Sequence, residues 1–128
     1  MISFDGNTAP YLLYTVARIY SIFRNASIPI DSFEISSISL YNQSEISLAK
    51  KIIPFQSVMR QVRADLYPHL IANFLYDLAS AYNSFYKKCQ VLHSDERTRK
   101  RRLALSLATL NTLTTGLDLL GIETLEKM

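Results

Sequence analysis

The apolar residues of this chain recur at intervals of three and four, the spacing that places side chains along one face of an α-helix. The first such stretch reads GNTAPYLLYTVARIYSIFR and covers residues 6–24. Pro10 suits its first turn, and Pro29 disfavours helical geometry at Ile28, so the helix is predicted to stop near 25–27. The same spacing predicts four further helices, over about 44–53, 55–65, 68–91 and 95–121.

Local signals mark where these helices begin and end. Ser44 is expected to cap the second helix, and either Ser94 or Asp95 is expected to cap the last one. Gly121 is a natural C-terminal stop, because glycine readily adopts the left-handed conformation that ends many helices. The serine-rich and isoleucine-rich residues 27–42 are predicted to form a loop with short helical pieces.

The composition agrees with a single helical domain. Hydrophobic residues make up 48% of the 128 residues, and 3 glycines and 4 prolines are few for a fold with many turns. We therefore predict one all-α domain over 1–128, a bundle of about five helices with short connections. No apolar run is long enough to span a membrane, and no secretory signal is visible. The single cysteine, Cys89, forms no internal disulfide, which fits a cytoplasmic location.

A stripe of aromatic and basic residues follows the first predicted helix. Tyr11, Tyr14 and Arg18 are three and four residues apart, so their side chains follow one another along one face. Two rings and a guanidinium suit the binding of unstacked bases of single-stranded RNA. The alternative is structural, with the rings half-buried in the core, their hydroxyl groups at the surface, and Arg18 paired with an acidic neighbour.

Positive charge is concentrated in one part of the chain. The net charge is +3, and seven of the 14 lysine and arginine residues lie between Lys87 and Arg102. The predicted phosphate contacts of this run are Arg97, Arg99, Arg101 and Arg102. The alternative is an ordinary solvated helix face.

Three segments together resemble the C-terminal anticodon-binding domain of arginyl-tRNA synthetase, often called the DALR domain. They are SFDGNTAPYLLYTVARIYSIFR (3–24), PHLIANFLYDLASAYNSFYKKCQVL (68–92) and RKRRLALSLATLNTLTTGLDLLGIETLEKM (99–128). The resemblance covers almost the whole chain and is weakest over residues 27–42. It implies that the residues lining and closing an anticodon pocket are Tyr11, Tyr14, Arg18, Tyr86 and Met128.

The resemblance also implies a partner and a chemistry of recognition. The partner is the anticodon stem-loop of an arginine tRNA, whose anticodon always has a central cytosine. Stacking of a base on an aromatic ring contributes about 1–3 kcal/mol but selects no particular base. Selection is therefore expected from hydrogen bonds. Arg18 would donate to the base or a phosphate, and the Met128 carboxylate or a nearby backbone carbonyl would accept from the cytosine amino group.

The differences from such synthetases bear on activity. The chain carries neither an HIGH-like nor a KMSKS-like signature, so it is not expected to charge tRNA alone. ATP would bind the missing catalytic domain, supplied in cis or in trans, and no cofactor or metal ion is expected in this chain. The alternative function is a stand-alone helical protein-interaction module that kept the fold and lost RNA binding.

Asn83 is expected to tie its helix to a neighbour through a buried hydrogen bond.

Overall fold

The computed structural model describes residues 8–33, 42–55, 57–60, 68–122 and 124. Its α-helices are α1 (Thr8–Asn25), α2 (Gln43–Ile52), α3 (Pro68–Lys88) and α4 (Glu96–Leu119), and a 3-10 turn spans Ile30–Ser32. Residues 57–60 are also helical and lie within the predicted helix over 55–65. No strand occurs among the described residues. The all-α prediction is therefore confirmed.

The first helix begins and ends close to where its sequence predicts. Pro10 lies in the first turn of α1, where its missing N–H costs nothing. Beyond the other end, Ser27 adopts the left-handed conformation with a φ of 56°. The N–H of Ile28 donates to the Phe23 carbonyl at 3.1 Å, and that of Ser27 donates to the Arg24 carbonyl at 3.0 Å. These two bonds form a Schellman cap, in a conformation that favours glycine over serine.

Two helix ends differ from the prediction. The N-cap of α2 is Asn42 and not Ser44, because the Asn42 side chain accepts a hydrogen bond from the Ser44 backbone N–H at 2.7 Å. Glu45 completes a capping box by accepting from the Asn42 backbone N–H at 3.4 Å. The second difference is at the C-terminal end of α3, which stops at Lys88, before its predicted end at about residue 91.

Both ends of α4 follow the sequence signals. Asp95, one of the two predicted caps, accepts from the backbone N–H of Thr98 at 3.0 Å. This bond and a second one from the Thr98 hydroxyl keep the pKa of the Asp95 carboxyl below its usual value. Gly121 follows the helix with a φ of 76°, and the N–H of Ile122 donates to the Leu117 carbonyl at 2.9 Å. The predicted stop at Gly121 is confirmed as a second Schellman cap.

The helices α3 and α4 form the centre of the bundle, since each packs against the other three described α-helices. Residues 102–107 of α4 are all buried, so this helix is enclosed on nearly every side. Its buried hydroxyl groups donate to the carbonyls four residues earlier at 2.8–2.9 Å; they belong to Ser106, Thr109 and Thr112. Among the described residues, no buried side-chain polar atom is left without a partner.

One buried hydrogen bond joins the two central helices. The Tyr82 hydroxyl lies 2.8 Å from Oγ of Ser106, and both side chains are fully buried. Because the Ser106 hydroxyl already donates to the Arg102 carbonyl, Tyr82 is the donor in this pair. Burial raises the pKa of Tyr82 far above its usual value, so the phenol stays protonated.

Candidate nucleic-acid interface

Three of the predicted site residues meet on the surface where α1 lies beside α3. The guanidinium carbon of Arg18 is 4.9 Å from the ring centroid of Tyr14 and 4.3 Å from that of Tyr86. The same guanidinium donates from Nη2 to the Tyr14 hydroxyl at 2.6 Å. Both ring distances lie within the range of a cation–π contact. We call Tyr14, Arg18 and Tyr86 the aromatic–arginine cluster.

The aromatic–arginine cluster is open to solvent. Tyr14 is 53% exposed and Tyr86 is 38% exposed, so part of each ring faces solvent. Together with Arg18 they line a groove of about 540 Å³. The groove continues along α1 past Ser21 and Asn25, and none of its described lining residues is acidic. Sequence reasoning missed these two residues, although they lie three and seven positions after Arg18 and so share its helix face.

The structure places Tyr11 apart from this cluster. Its ring is half-buried and lies 5.4 Å, centroid to centroid, from the ring of Tyr76. Its hydroxyl group contacts Oγ of Ser80 at 3.5 Å and accepts from Nδ2 of Asn83 at 3.1 Å. This matches the structural alternative for a tyrosine at helical spacing. The base-binding role of Tyr11 stays a prediction.

The buried residue behind the cluster is Asn83 of α3, which is 9% exposed. Its Oδ1 accepts from Nη1 of Arg18 at 2.9 Å, and its Nδ2 donates to Oγ1 of Thr15 at 3.0 Å. The predicted buried hydrogen bond to a neighbouring helix is therefore confirmed. The sequence did not show that one of its partners belongs to the candidate site, because the two residues are 65 positions apart.

The charge of the residues that contact Arg18 bears on what the groove can bind. Its hydrogen-bond acceptors within the described residues are an amide oxygen and a phenol, and both are neutral. The salt bridges of the described part of the chain join Glu45 to Arg101 and Arg102, and neither includes Arg18. The predicted alternative, in which Arg18 pairs with an acidic neighbour, is thus wrong for the described residues. Among the described residues, no carboxylate neutralises the guanidinium of Arg18.

The basic run at the start of α4 divides into two groups. Arg97 is exposed, and Arg99 donates from Nη1 to the His93 carbonyl at 3.2 Å. Arg101 and Arg102 instead turn toward α2, where both bind the carboxylate of Glu45. Arg97 and Arg99 therefore stay as predicted phosphate contacts.

Arg101 and Arg102 are placed differently from the prediction that they contact phosphates. Their Nε atoms lie 2.8 Å and 2.9 Å from the two carboxylate oxygens of Glu45, which is fully buried. Arg102 is 9% exposed and also donates to the Gln90 carbonyl at 2.9 Å. Burial opposes ionisation of Glu45, but hydrogen bonds from both arginines and from the Asn42 N–H outweigh it and lower its pKa. These two guanidinium groups hold α2 against α4, so we remove them from the phosphate contacts.

The described residues contain no group of three or more His, Cys, Asp or Glu side chains close enough together to hold a metal ion. No helix among them has both the length and the apolar character needed to cross a membrane. Met128, predicted to close the pocket, lies outside the described residues.

The described residues form a helical domain that presents two aromatic rings and a guanidinium with neutral partners in an open groove, a surface suited to single-stranded nucleic acid. Residues 12–128 match the family described as the DALR anticodon binding domain. The chain belongs to this family, and the resemblance seen in the sequence is confirmed.

The chain is similar to enzymes that carry this family. It is 45% identical over 130 residues to the arginine–tRNA ligase of Saccharophagus degradans, a match covering 100% of this chain and 22% of that protein. The arginine–tRNA ligase of Mannheimia succiniciproducens is 42% identical over 128 residues, with the same coverage of 100% and 22%. The chain thus spans about a fifth of the length of these relatives.

Solved structures show the same likeness. The arginyl-tRNA synthetase of Thermus thermophilus superposes with a TM-score of 0.81 at 35% identity, over 98% of this chain and 22% of that one. The arginyl-tRNA synthetase of Plasmodium falciparum gives a TM-score of 0.82 at 32% identity, with the same coverage of 98% and 22%. The described helices therefore follow the fold of one domain within those larger enzymes.

Proposed function

We propose that this domain binds the anticodon stem-loop of an arginine tRNA and serves arginine–tRNA ligation when joined to a catalytic domain. The observation that carries the proposal is the guanidinium of Arg18 lying against the exposed rings of Tyr14 and Tyr86. Membership of the family supports it, as do the names of the relatives, which are arginine–tRNA ligases.

The cluster offers each kind of contact that an unstacked base requires. The exposed rings of Tyr14 and Tyr86 provide surfaces on which a base can stack. A guanidinium has five N–H groups, and the described residues accept from Arg18 at Nη1 and Nη2 only. The donors that remain are available to a base edge or a phosphate oxygen. Because the Tyr14 hydroxyl accepts from Arg18, its own hydrogen is also available to a ligand.

The charge of Arg18 favours an anionic ligand over an apolar one. A guanidinium whose protein partners are neutral keeps its full attraction for a phosphate, whereas one paired with a carboxylate does not. The groove around Arg18 has no acidic lining residue among those described. A protein-interaction module would be expected to present an apolar patch here, and the groove presents a cation between two phenols instead.

The test is the affinity of the 128-residue chain for a labelled anticodon stem-loop of arginine tRNA, measured by fluorescence anisotropy. Tyr14→Ala and Tyr86→Ala are each expected to weaken binding roughly 5- to 150-fold, the equivalent of about 1–3 kcal/mol for one stacked base. Tyr86→Phe keeps the ring and is expected to stay within about threefold of the wild type. Tyr14→Phe also keeps the ring but removes the hydroxyl that accepts from Arg18, so it is expected to weaken binding more than Tyr86→Phe and less than Tyr14→Ala. A stem-loop whose central cytosine is replaced by uracil tests whether the base is read.

The matched control is Ile53→Ala, which removes another exposed apolar side chain, 75% exposed, at the end of α2 and outside the groove. This variant should bind like the wild type. Affinity that is unchanged in both alanine variants of the cluster tyrosines would remove the cluster from RNA binding. Binding that is absent in the wild type, or insensitive to salt, would favour the protein-interaction module, because contacts to phosphates weaken as salt rises.

A further inference from the structure

We propose that Asn83 is a positioning residue that holds the Arg18 guanidinium between the rings of Tyr14 and Tyr86 before RNA arrives. The inference rests on the proposed function, because it names a residue that prepares the same groove. Asn83 is 9% exposed and lies on α3, whereas its hydrogen-bond partners Arg18 and Thr15 lie on α1. A ligand in the groove would meet Arg18, and the amide would act only through it.

The hydrogen bonds around Asn83 fix its amide in one orientation. A guanidinium only donates, so the atom that faces Nη1 of Arg18 at 2.9 Å must be the amide oxygen. Nδ2 then donates to Oγ1 of Thr15 at 3.0 Å and to the Tyr11 hydroxyl at 3.1 Å. Both hydroxyl groups accept from Nδ2 because each donates its own hydrogen to another acceptor. Thr15 donates to the Tyr11 carbonyl at 3.0 Å, and Tyr11 donates to Ser80 at 3.5 Å.

This network leaves the guanidinium little freedom. An arginine side chain has several rotatable bonds, so a free arginine beside the groove would populate many positions. In the structure, Nη1 is held by Asn83, Nη2 is held by the Tyr14 hydroxyl, and the two rings lie against the guanidinium. Without the amide, the remaining contacts are at the exposed surface, where they compete with water. The fraction of molecules with Arg18 in place should then fall, and the apparent affinity falls by the same factor.

The test is a double-mutant cycle on the affinity for the arginine anticodon stem-loop, using Asn83→Ala, Arg18→Ala and the double variant. Asn83→Ala is expected to weaken binding by roughly tenfold, about 1.4 kcal/mol. If Asn83 acts through Arg18, the double variant binds no more weakly than Arg18→Ala alone. Effects of the two single changes that multiply in the double variant would overturn the inference.

Two additions separate positioning from general stability. Ser106→Ala removes another buried polar group, in α4 and without contact to Arg18, so it should lower stability while leaving RNA affinity unchanged. Asn83→Ser keeps a small polar side chain that is too short to reach Nη1 of Arg18, and it replaces Asn83→Ala if that variant does not fold. It should show the same loss of affinity.

A measurement on the free protein does not depend on RNA. The side-chain NMR signals of Arg18 should carry ring-current shifts from Tyr14 and Tyr86, and these shifts should be lost in Asn83→Ala and Asn83→Ser. Shifts that survive in both variants, while Arg18→Ala still weakens RNA binding, would overturn the inference and leave the proposed function standing. A wild-type chain that does not bind the stem-loop would overturn the proposed function, and the NMR shifts would still decide whether Asn83 positions Arg18.

Discussion

Removing the buried carboxylate of Glu45 is expected to destabilise the fold more than any single change in the groove. Glu45 is fully buried and bridges Arg101 and Arg102, whose side chains are only 12% and 11% exposed. Glu45→Ala would leave both guanidinium groups without their carboxylate. Breaking a buried pair in this way costs about 3–5 kcal/mol. Since small domains have a total stability of about 5–15 kcal/mol, a large part of it would be lost.

The same carboxylate should make stability depend on pH. Burial alone would raise the pKa of Glu45, but hydrogen bonds from Arg101, Arg102 and the Asn42 N–H lower it below its usual 4.5. A group with a lowered pKa in the folded state stabilises the fold above the unfolded-state pKa, and the contribution is lost as the pH falls through the folded-state pKa. The difference in unfolding free energy between the wild type and Glu45→Gln should thus be constant near neutral pH and shrink in acid.

The assay is urea unfolding followed by circular dichroism, repeated from neutral pH to below the usual pKa of a glutamate. Glu96→Gln is the matched control, because Glu96 is an exposed carboxylate in the first turn of α4. It should change the unfolding free energy by less than about 1 kcal/mol, the size of an exposed interaction with the helix dipole. A Glu45→Ala protein as stable as the Glu96→Gln control would refute the assigned role of the ion pair. So would a stability difference that does not shrink in acid.

Three further substitutions test the packing and the helix ends by urea unfolding. Gly116→Ala should lower stability by about 1 kcal/mol, because its Cβ would lie 2.6 Å from Cδ2 of the buried Leu75. The overpacking costs about 1–3 kcal/mol, which exceeds the gain in helix propensity of about 1 kcal/mol. A Gly116→Ala variant that is more stable than the wild type would contradict the overpacking. Ser27→Gly should raise stability by about 0.5–1 kcal/mol, because it relieves a left-handed serine with a φ of 56°; a loss would count against the cap. Tyr82→Phe should cost about 1 kcal/mol by removing the 2.8 Å hydrogen bond to Ser106, and no change would show that this bond contributes little.

Helix positions were largely predictable from the sequence because the signals that start and stop helices are local. Asp95 and Gly121 act within a few residues of themselves. Asp95 is one of the two caps that the sequence predicts, and the predicted stop at Gly121 is confirmed. The early end of α3 was not predicted, because Cys89 and Val91 continue the apolar spacing of the helix. Both side chains are buried, yet neither residue is helical. Apolar spacing reports burial, and a chain that turns back onto the core buries its residues without a helix.

The candidate site was predictable only where its residues share one helix. Tyr14 and Arg18 are four positions apart, so their contact follows from helix geometry alone. Tyr86 was implied by the family resemblance, and its place beside Arg18 required the packing of α3 on α1. The partners of Glu45 are 56 and 57 positions away, and no local pattern distinguishes an arginine used inside the fold from one at the surface.

The difference between these two uses of arginine lies in the charge of the partner. Arg102 is nearly buried, and the carboxylate of Glu45 neutralises it. Its charge therefore stabilises the fold and attracts an external anion only weakly. Arg18 is held just as specifically, but by an amide oxygen, a phenol and two ring faces, all of them neutral. Neutral partners fix the direction of a guanidinium without cancelling its attraction for phosphate or for a base acceptor. The groove therefore fixes the orientation of the Arg18 guanidinium without neutralising its charge, which is the arrangement that the proposed RNA contact requires.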